Sequence, residues 1–400
     1  MSIERKPGTT ITKWILSSVR AYLESKSHIV IERNDTIGLE PPYLILANHV
    51  NNWDPLFINC YVEEPICFVA GEPLFRNPLL RALLNWTGAI AKTKFKNDLS
   101  TIKDMMRAKK NKRVIGLFPE GNRTWDGVTE PLIFATAKLI KALHIPVIIV
   151  NIRGGYLTMP RWAKHPRKGL ISISFTKHWD TADLADESVD SIYEKLTDAL
   201  AHDELKWQKQ VMQPYKGRAL AQYLERLLFI CPHCTKPGEL RSSGHRLRCD
   251  HCAYAVRYTP YGLFDKLHGP LYFSTVREWN VWQLEQLEHS LLDPKQHMQQ
   301  WAPVMRDPVP LYTAEGSAPF QLFAEGQLHW KQDRLVFVSD EHAEIFEFPF
   351  AQLEGLNIHF HHKLDFYYHH KLYRFIFYVP YTSAYKWLKS IQISRKLATL

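Results

Sequence analysis

Hydrophobic positions in the first half of the chain alternate between two kinds of run. Tyr43-Leu44-Ile45-Leu46-Ala47, Val114-Ile115-Gly116-Leu117-Phe118 and Val147-Ile148-Ile149-Val150 are short and apolar at every position. Such continuity marks strands buried on both faces. Between them lie segments with helical spacing: Thr12–Lys26, with Trp14, Ile15, Val19 and Leu23 on one stripe, a helix starting over Pro55–Tyr61, Leu132–Leu143 and Asp190–Ala201. Leu170–Phe175 alternates, which predicts an edge strand. Short buried strands separated by helices predict an α/β layer fold, mainly a parallel sheet with flanking helices.

The pattern changes near Pro214. Paired cysteines and turn residues occupy about 228–256, and Leu271–Leu292 reads as a helix with Trp279, Trp282 and Leu284 at its larger apolar positions. After Pro308 the chain becomes strand-rich, with short strands expected over Gln321–Phe323, Gln327–Trp330, Arg334–Val338, Ala343–Phe348, Gly355–Phe360, Lys363–Tyr368 and Leu372–Tyr378 and a helix over Ser383–Ile391. Seven strands closed by one helix resemble a pleckstrin-homology-like (PH-like) or GRAM-like module. The expected domains are 1–215, a small zinc ribbon over 216–262, and a helix plus strand-rich domain over 263–400.

The length of 400 residues exceeds one ordinary domain. Hydrophobic residues at 46% with charged residues at 23%, and a mean hydropathy of -0.27, describe a globular chain and exclude wholesale disorder. No run of about 18 uncharged apolar residues occurs, so no spanning helix is expected. The start, Met1-Ser2-Ile3-Glu4-Arg5-Lys6, lacks the apolar core of a secretory leader, and none is expected. A net charge of +9 favours an anionic partner, whether nucleic acid, phospholipid headgroup or phosphorylated substrate. An aromatic content of 12% suits contact with a membrane interface.

Three segments carry chemistry. In Asn48-His49-Val50-Asn51-Asn52-Trp53-Asp54, His49 follows a strand, and Asp54 before Pro55 reads as a helix N-cap. Across that turn the Asp54 carboxylate can fold back onto the imidazole, fix its tautomer and leave the other nitrogen as a base. Phe118-Pro119-Glu120-Gly121-Asn122-Arg123-Thr124 also lies beyond a strand's carboxyl end, the edge where open α/β sheets bind ligands. There Gly121 permits close backbone approach, Arg123 can grip a phosphate, and Glu120 can orient a hydroxyl or hold Arg123. Gly88-Ala89-Ile90-Ala91-Lys92-Thr93-Lys94 can place a cation, Lys94, near the same edge. Basic residues crowd Lys92–Arg113 and Arg153–Lys168, beside these loops. Taken alone, each of the first two motifs reads as well as an ordinary polar turn, and the basic runs, whose plain reading is a solvated surface, are read as functional because they flank these loops.

Together they resemble the glycerolipid acyltransferase family. Its Asn-His-x4-Asp motif is matched by Asn48, His49 and Asp54; its Phe-Pro-Glu-Gly-x-Arg-Ser/Thr motif by Phe118 to Gly121, Arg123 and Thr124; its apolar run around a proline by Ile145–Val150. The motif that ends in Arg after Gly-x-Ile has Lys94 at that position, a departure. The resemblance covers roughly residues 28–180. It implies a His base oriented by Asp54 that activates an acceptor hydroxyl for attack on an acyl thioester, with no acyl-enzyme and no organic cofactor. Lys94, Glu120, Gly121, Arg123 and Thr124 would bind the acceptor, a lysophospholipid such as 1-acylglycerol 3-phosphate. The donor would be acyl-CoA or an acyl carrier protein, the latter a partner in its own right. Phe134-Ala135-Thr136-Ala137 stands where the family often has Phe-Lys-x-Gly, which leaves room for another headgroup.

Cys231-Pro232-His233-Cys234 and Cys249-Asp250-His251-Cys252 have the spacing of a zinc ribbon, so a structural zinc on four thiolates is expected, with His233 or His251 as substitutes for a cysteine. Cys60 and Cys67 read as small apolar packing groups. His144 reads as structural, and His359, His361, His362, His369 and His370 as exposed strand residues. The competing reading is a basic zinc-ribbon protein that binds nucleic acid or lipid without acyl transfer. Nucleic acid is disfavoured because the ribbon itself carries few cations. The first helix and the basic runs would hold the protein against an anionic cytoplasmic leaflet as a peripheral membrane protein.

Overall fold

The computed structural model describes residues 3–4, 6–76, 78–92, 99–292, 305–316, 318–341 and 344–398. Lys94 and Ala343 lie outside the described residues. The chain divides into two compact units, Met1–Arg161 with Pro166–Lys216, and Trp162–His165 with Gly217–Leu400. Among the described residues, no helix is long and apolar enough to cross a membrane.

The first unit is built on seven strands: β1 (His28–Asn34), β2 (Leu44–Ala47), β3 (Ile66–Gly71), β4 (Ile90–Lys92), β5 (Val114–Leu117), β6 (Val147–Arg153) and β7 (Leu170–Trp179), in the order β1-β7-β6-β2-β5-β3-β4. β6, β2, β5, β3 and β4 are mutually parallel, while β7 pairs antiparallel with β6 and parallel with β1. The sheet is thus mainly parallel, and Leu170–Trp179 is not its edge: β1 covers it. The alternation in β7 arises because one face carries Ser172 and Ser174 while Ile171, Ile173 and Phe175 face the core.

β2 is central and buried on both faces. Ile45 and Ala47 join a core with α1 (Thr9–Lys26), through Leu16, Val19 and Leu23, and α2 (Asp54–Asn59), through Phe57 and Ile58. Leu44 and Leu46 join a second core on the opposite face. That core takes Met105 from α3 (Leu99–Lys110), Ala137 and Ile140 from α4 (Ala135–Leu143), and Ile192, Leu196 and Leu200 from α5 (Val189–Leu200). Burying each such side chain contributes about 1.5–3 kcal/mol, which fixes the strand ends that carry the loops described below. His144 closes α4 in the left-handed conformation, its N–H donating to Ile140 O at 3.0 Å.

The expected stripe on α1 splits in two. Thr12, Leu16, Val19 and Leu23 turn inward, whereas Ile11, Trp14, Ile15 and Tyr22 are exposed, Trp14 at 74%. At about 100° per residue the two sets occupy adjacent arcs, so Trp14 and Ile15 fall outside the buried one. The exposed arc continues from Tyr22 to exposed Trp53, ring centroids 6.0 Å apart.

The second unit holds two sheets. β8 (Leu240–Ser243), β9 (Arg246–Cys249), β10 (Ala255–Tyr258) and β11 (Phe264–His268) form an antiparallel sheet beside the cysteine knuckles. α6 (Val276–Leu292) ties to it: Trp279 Nε1 donates to Ile230 O at 2.9 Å, and Gln283 bonds Phe229 N at 2.9 Å and Leu227 O at 2.9 Å. β12 (Arg306–Ala314), β13 (Gln321–Trp330), β14 (Arg334–Ser339), β15 (Ile345–Pro349), β16 (Glu354–His359), β17 (Lys363–Tyr368) and β18 (Lys371–Ile376) form an antiparallel sheet in the order β15-β14-β13-β12-β18-β17-β16, followed by α7 (Ala384–Leu397).

Two differences from the expected strands have physical causes. Gln321–Trp330 is one strand rather than two, because Gly326 passes close to β14: a Cβ there would sit 2.2 Å from Val338 O. β12 was not expected because Pro308 and Pro310 interrupt it. They are tolerated because that half of β12 pairs with β13 alone, β18 joining only from Leu311.

Candidate active site

β2 ends at Ala47, and Asn48 extends its pairing with β6 by a side chain. Asn48 Nδ2 donates to Ile152 O at 2.9 Å, and Ile152 N donates to Asn48 Oδ1 at 2.8 Å. The next residue, His49, therefore starts its turn from a fixed point. α2 begins at Asp54 itself, so the capping position falls on Trp53, one residue before the expected cap. The carboxylate does not cap its own helix but reaches back over the turn. One oxygen, Oδ2, accepts from His49 Nδ1 at 2.8 Å, Val50 N at 2.7 Å and Asn51 N at 2.8 Å. Its other oxygen is buried without a partner, and the side chain is fully buried.

An anion gathering two backbone N–H groups needs a third donor, so the proton of His49 belongs on Nδ1. Nε2 is left without a hydrogen-bond partner among the described residues. Burial lowers the His49 pKa below its usual value; Asp54 opposes the shift, and Arg123 and Arg161 add to it. At neutral pH the ring is thus a neutral imidazole with one free basic nitrogen.

The second loop is clamped onto the first. Glu120 Oε1 accepts from His49 N at 2.6 Å and Oε2 from Glu130 N at 2.7 Å. Burial pushes this carboxyl up to about 8 against the pull of those two donors. Thr124 N donates to His49 O at 3.0 Å, and Thr124 Oγ1 accepts from Gly127 N at 3.0 Å. Both atoms of Glu120 and both of Thr124 are therefore engaged in holding the loops. Gly121 lies at the exposed rim with φ +68, a left-handed value that a Cβ would strain, and a Cβ there would also meet Ile133 at 3.0 Å.

Arg123 is the loop's cation. Burial brings its guanidinium down to about 10, still charged at neutral pH, and Asp54 holds it up. Among the described residues its side chain has no hydrogen-bond or ion-pair partner. Arg161 stands beside it: Nη1 donates to Arg123 O at 2.8 Å, and its guanidinium lies 4.4 Å from the Trp125 ring centroid. In the sequence Arg161 lies within a basic run; its approach to Arg123 spans 38 positions and has no local signal. The site thus brings together His49, Asp54, Glu120, Gly121, Arg123 and Thr124, while Lys94 lies outside the described residues.

The four expected thiols also converge. Cys231, Cys234, Cys249 and Cys252 place their sulfurs within 4.8 Å of one another, with 3.6 Å between Cys231 and Cys252 and 3.8 Å between Cys234 and Cys249. A tetrahedron with metal–sulfur bonds of about 2.3 Å has edges of roughly 3.8 Å, so the cage suits one metal ion. Both knuckles share a form: Thr235 and Ala253, each after the second cysteine, are left-handed and donate N–H to the first cysteine's carbonyl. His233 bonds Tyr272 and His251 bonds Lys236, so the histidines are engaged elsewhere. Cys60 and Cys67 are free and buried, their thiols pushed up to about 11.

Residues 28–153 match the family model described as Acyltransferase. The 1-acyl-sn-glycerol-3-phosphate acyltransferase of Saccharomyces cerevisiae is 26% identical over 174 residues, covering 41% of this chain and 56% of that protein. The chain therefore spans little more than half the length of the curated relative it matches. The crystal structure of the 1-acyl-sn-glycerophosphate (LPA) acyltransferase of Thermotoga maritima is 20% identical with a TM-score of 0.42, covering 47% of this chain and 78% of that one. The similarity to acyltransferases thus lies in the motif-bearing segment 28–153, which carries both the His49 and the Phe118 loops.

Proposed function

We propose that this protein transfers a fatty acyl group from an acyl thioester to a hydroxyl of a lysophospholipid such as 1-acylglycerol 3-phosphate. The observation that carries the reading is a neutral His49 whose Nδ1 is held by Asp54 and whose Nε2 is free, next to an unpaired Arg123. In the step, Nε2 takes the acceptor's hydroxyl proton while its oxygen attacks the thioester carbonyl. The tetrahedral intermediate collapses, the carbon–sulfur bond breaks, and the thiolate leaves with the proton returned from His49. Asp54 stabilises the imidazolium in between. Arg123, with Lys94 and Arg161, receives the acceptor's phosphate. The donor is acyl-CoA or an acyl carrier protein.

The four thiolates would hold a structural zinc: a set of four sulfurs is soft, tetrahedral and closed, so it leaves no position for substrate. The metal would brace the ribbon, expected over 216–262, and the strand order and closing helix of 263–400 support a PH-like or GRAM-like reading of that domain, after an acyltransferase domain over 1–215. Exposed Ile11, Trp14, Ile15 and Tyr22 would seat the first unit on the cytoplasmic face of a membrane as a peripheral protein. Purified protein given labelled acyl thioester and a panel of lysolipids plus glycerol 3-phosphate tests the reading. Transfer to at least one acceptor, nearly abolished by His49→Ala and reduced less by Asp54→Asn, is the expected result; equal rates in wild type and His49→Ala would remove the base.

A further inference from the structure

Arg226, in the second unit, is 4% exposed, yet no carboxylate pairs with it among the described residues. Its Nε makes one long hydrogen bond, 3.4 Å, to Pro380 O, and its guanidinium lies 4.0 Å over the Tyr223 ring. Glu225 turns its side chain to Ser242 and reaches Arg226 only through space, while burial raises its own pKa. A buried charge without a directly paired counter-ion is costly and is usually matched by an anion.

Other cations gather at the same ring. Lys164 Nζ lies 5.2 Å from the Tyr223 centroid, and the His361 ring lies 5.8 Å away, next to His362 at 4.8 Å. Lys363 follows at the start of β17, and Arg226, Lys363 and Arg374 all act on His362, whose Nδ1 is buried without a partner. Arg374 pairs with Asp365 at 2.7 and 2.6 Å, and His359 Nε2 lies 3.3 Å from the same carboxylate, so most of the charge of Asp365 is engaged by these two. Tyr223 holds its place in a left-handed conformation, φ 75, which a bulky residue adopts only where the surroundings impose it. Three cations without an ion pair among the described residues, Arg226, Lys164 and Lys363, thus surround one hairpin tip, with Glu225 and Asp365 acting on Arg226 and Lys363 only through space.

We propose that Arg226, Lys164 and Lys363, arranged around Tyr223 and the His361–His362 tip, form a second anion site that takes a phosphate monoester. Three cations in a compact cluster suit a dianion, and Arg226 supplies a fork of donors to its oxygens. Tyr223 already carries cations against its ring and is not free to stack a nucleobase, which disfavours nucleic acid. The phosphate could be free or a phospholipid headgroup.

The test uses the full chain in an Arg123→Met background, which removes the main phosphate-binding cation of the proposed acyl-transfer site. Vesicles of phosphatidylcholine, with or without phosphatidylinositol 4-phosphate, are compared for the parent and for Lys164→Gln/Lys363→Gln, with Arg226→Lys as a further variant. The parent should bind the phosphorylated vesicles about tenfold or more tightly than plain ones, and the double variant should lose that gain with an unchanged melting temperature. Inorganic phosphate should raise the parent's melting temperature and not the variant's if the site takes free phosphate. Loss of the vesicle gain with no effect of inorganic phosphate assigns the site to a headgroup. A gain that survives in a folded double variant, or no gain and no stabilisation by phosphate in the parent, overturns the proposal.

Discussion

Phe118 stacks on His49, ring centroids 4.2 Å apart and planes 20° from parallel. Phe68 stacks in turn on Phe118 at 5.6 Å. The row exists because Gly116, on β5, leaves Phe68 room to lie against the sheet: a Cβ there would sit 2.5 Å from the Phe68 ring. Gly116→Ala should displace Phe68, and through Phe118 the face of the imidazole. Overpacking of this kind costs about 1–3 kcal/mol. A lowered melting temperature together with a lower kcat is expected; a wild-type melt and wild-type kcat would show that the row does not position His49.

The proposed base sets the acid side of the pH profile. Burial holds the His49 pKa below 6.5 even though Asp54 raises it. The neutral ring is the active form, so kcat/KM should rise with pH through that pKa and be flat by neutrality, with a midpoint below 6.5. Asp54→Asn removes the influence that raises the pKa, so the midpoint should move to still lower pH while the plateau falls. A wild-type midpoint above 6.5, or an upward shift in the variant, would contradict the assignment.

Much of this was legible in the chain, for identifiable reasons. β2, β5 and β6 are buried on both faces, so their apolar runs stand out. β1 was missed because His28–Asn34 lies at the sheet edge and carries Glu32 and Arg33. The loops at His49 and Phe118 were legible because each follows a buried strand directly. Arg161 and the Arg226 cluster were not, because their contacts are made by distant parts of the chain: Tyr223 meets His361 only through the fold of the second unit.

Arg161 is expected to set acceptor preference. It braces Arg123 O and acts on His49, so it stands where an acceptor phosphate would lie. A charge-assisted bond contributes about 1.5–3 kcal/mol, so Arg161→Met should lower kcat/KM for a phosphate-bearing acceptor by about tenfold to a hundredfold. Transfer to a monoacylglycerol, which has no phosphate, should change much less. Equal losses on both acceptors would assign Arg161 to loop support alone.

The cysteine cage should bind one metal ion per chain and stabilise the second unit. Cys231 and Ile230 abut the segment that Trp279 and Gln283 hold, so opening the cage loosens the seat of α6. Chelation, or Cys249→Ser, should remove zinc measured by elemental analysis and lower the melting temperature. Purified protein without metal, and a melt indifferent to chelator, would refute a zinc-braced ribbon.

The outer face of α1 gives the last expectation. Trp14 is 74% exposed and packs on nothing in the core, so Trp14→Asp should leave the melting temperature nearly unchanged. If that face enters a bilayer interface, it buries there what it exposes here, an indole worth about 1.5–3 kcal/mol. Vesicle affinity should then fall about tenfold or more, and turnover should fall on acceptor presented in vesicles but not on a short-chain acceptor in free solution. Tyr22 and Trp53 continue the same face toward the His49 turn, so the surface that would touch lipid leads to the site that would use it. Unchanged vesicle binding in Trp14→Asp would separate the two and leave the exposed arc without a membrane role.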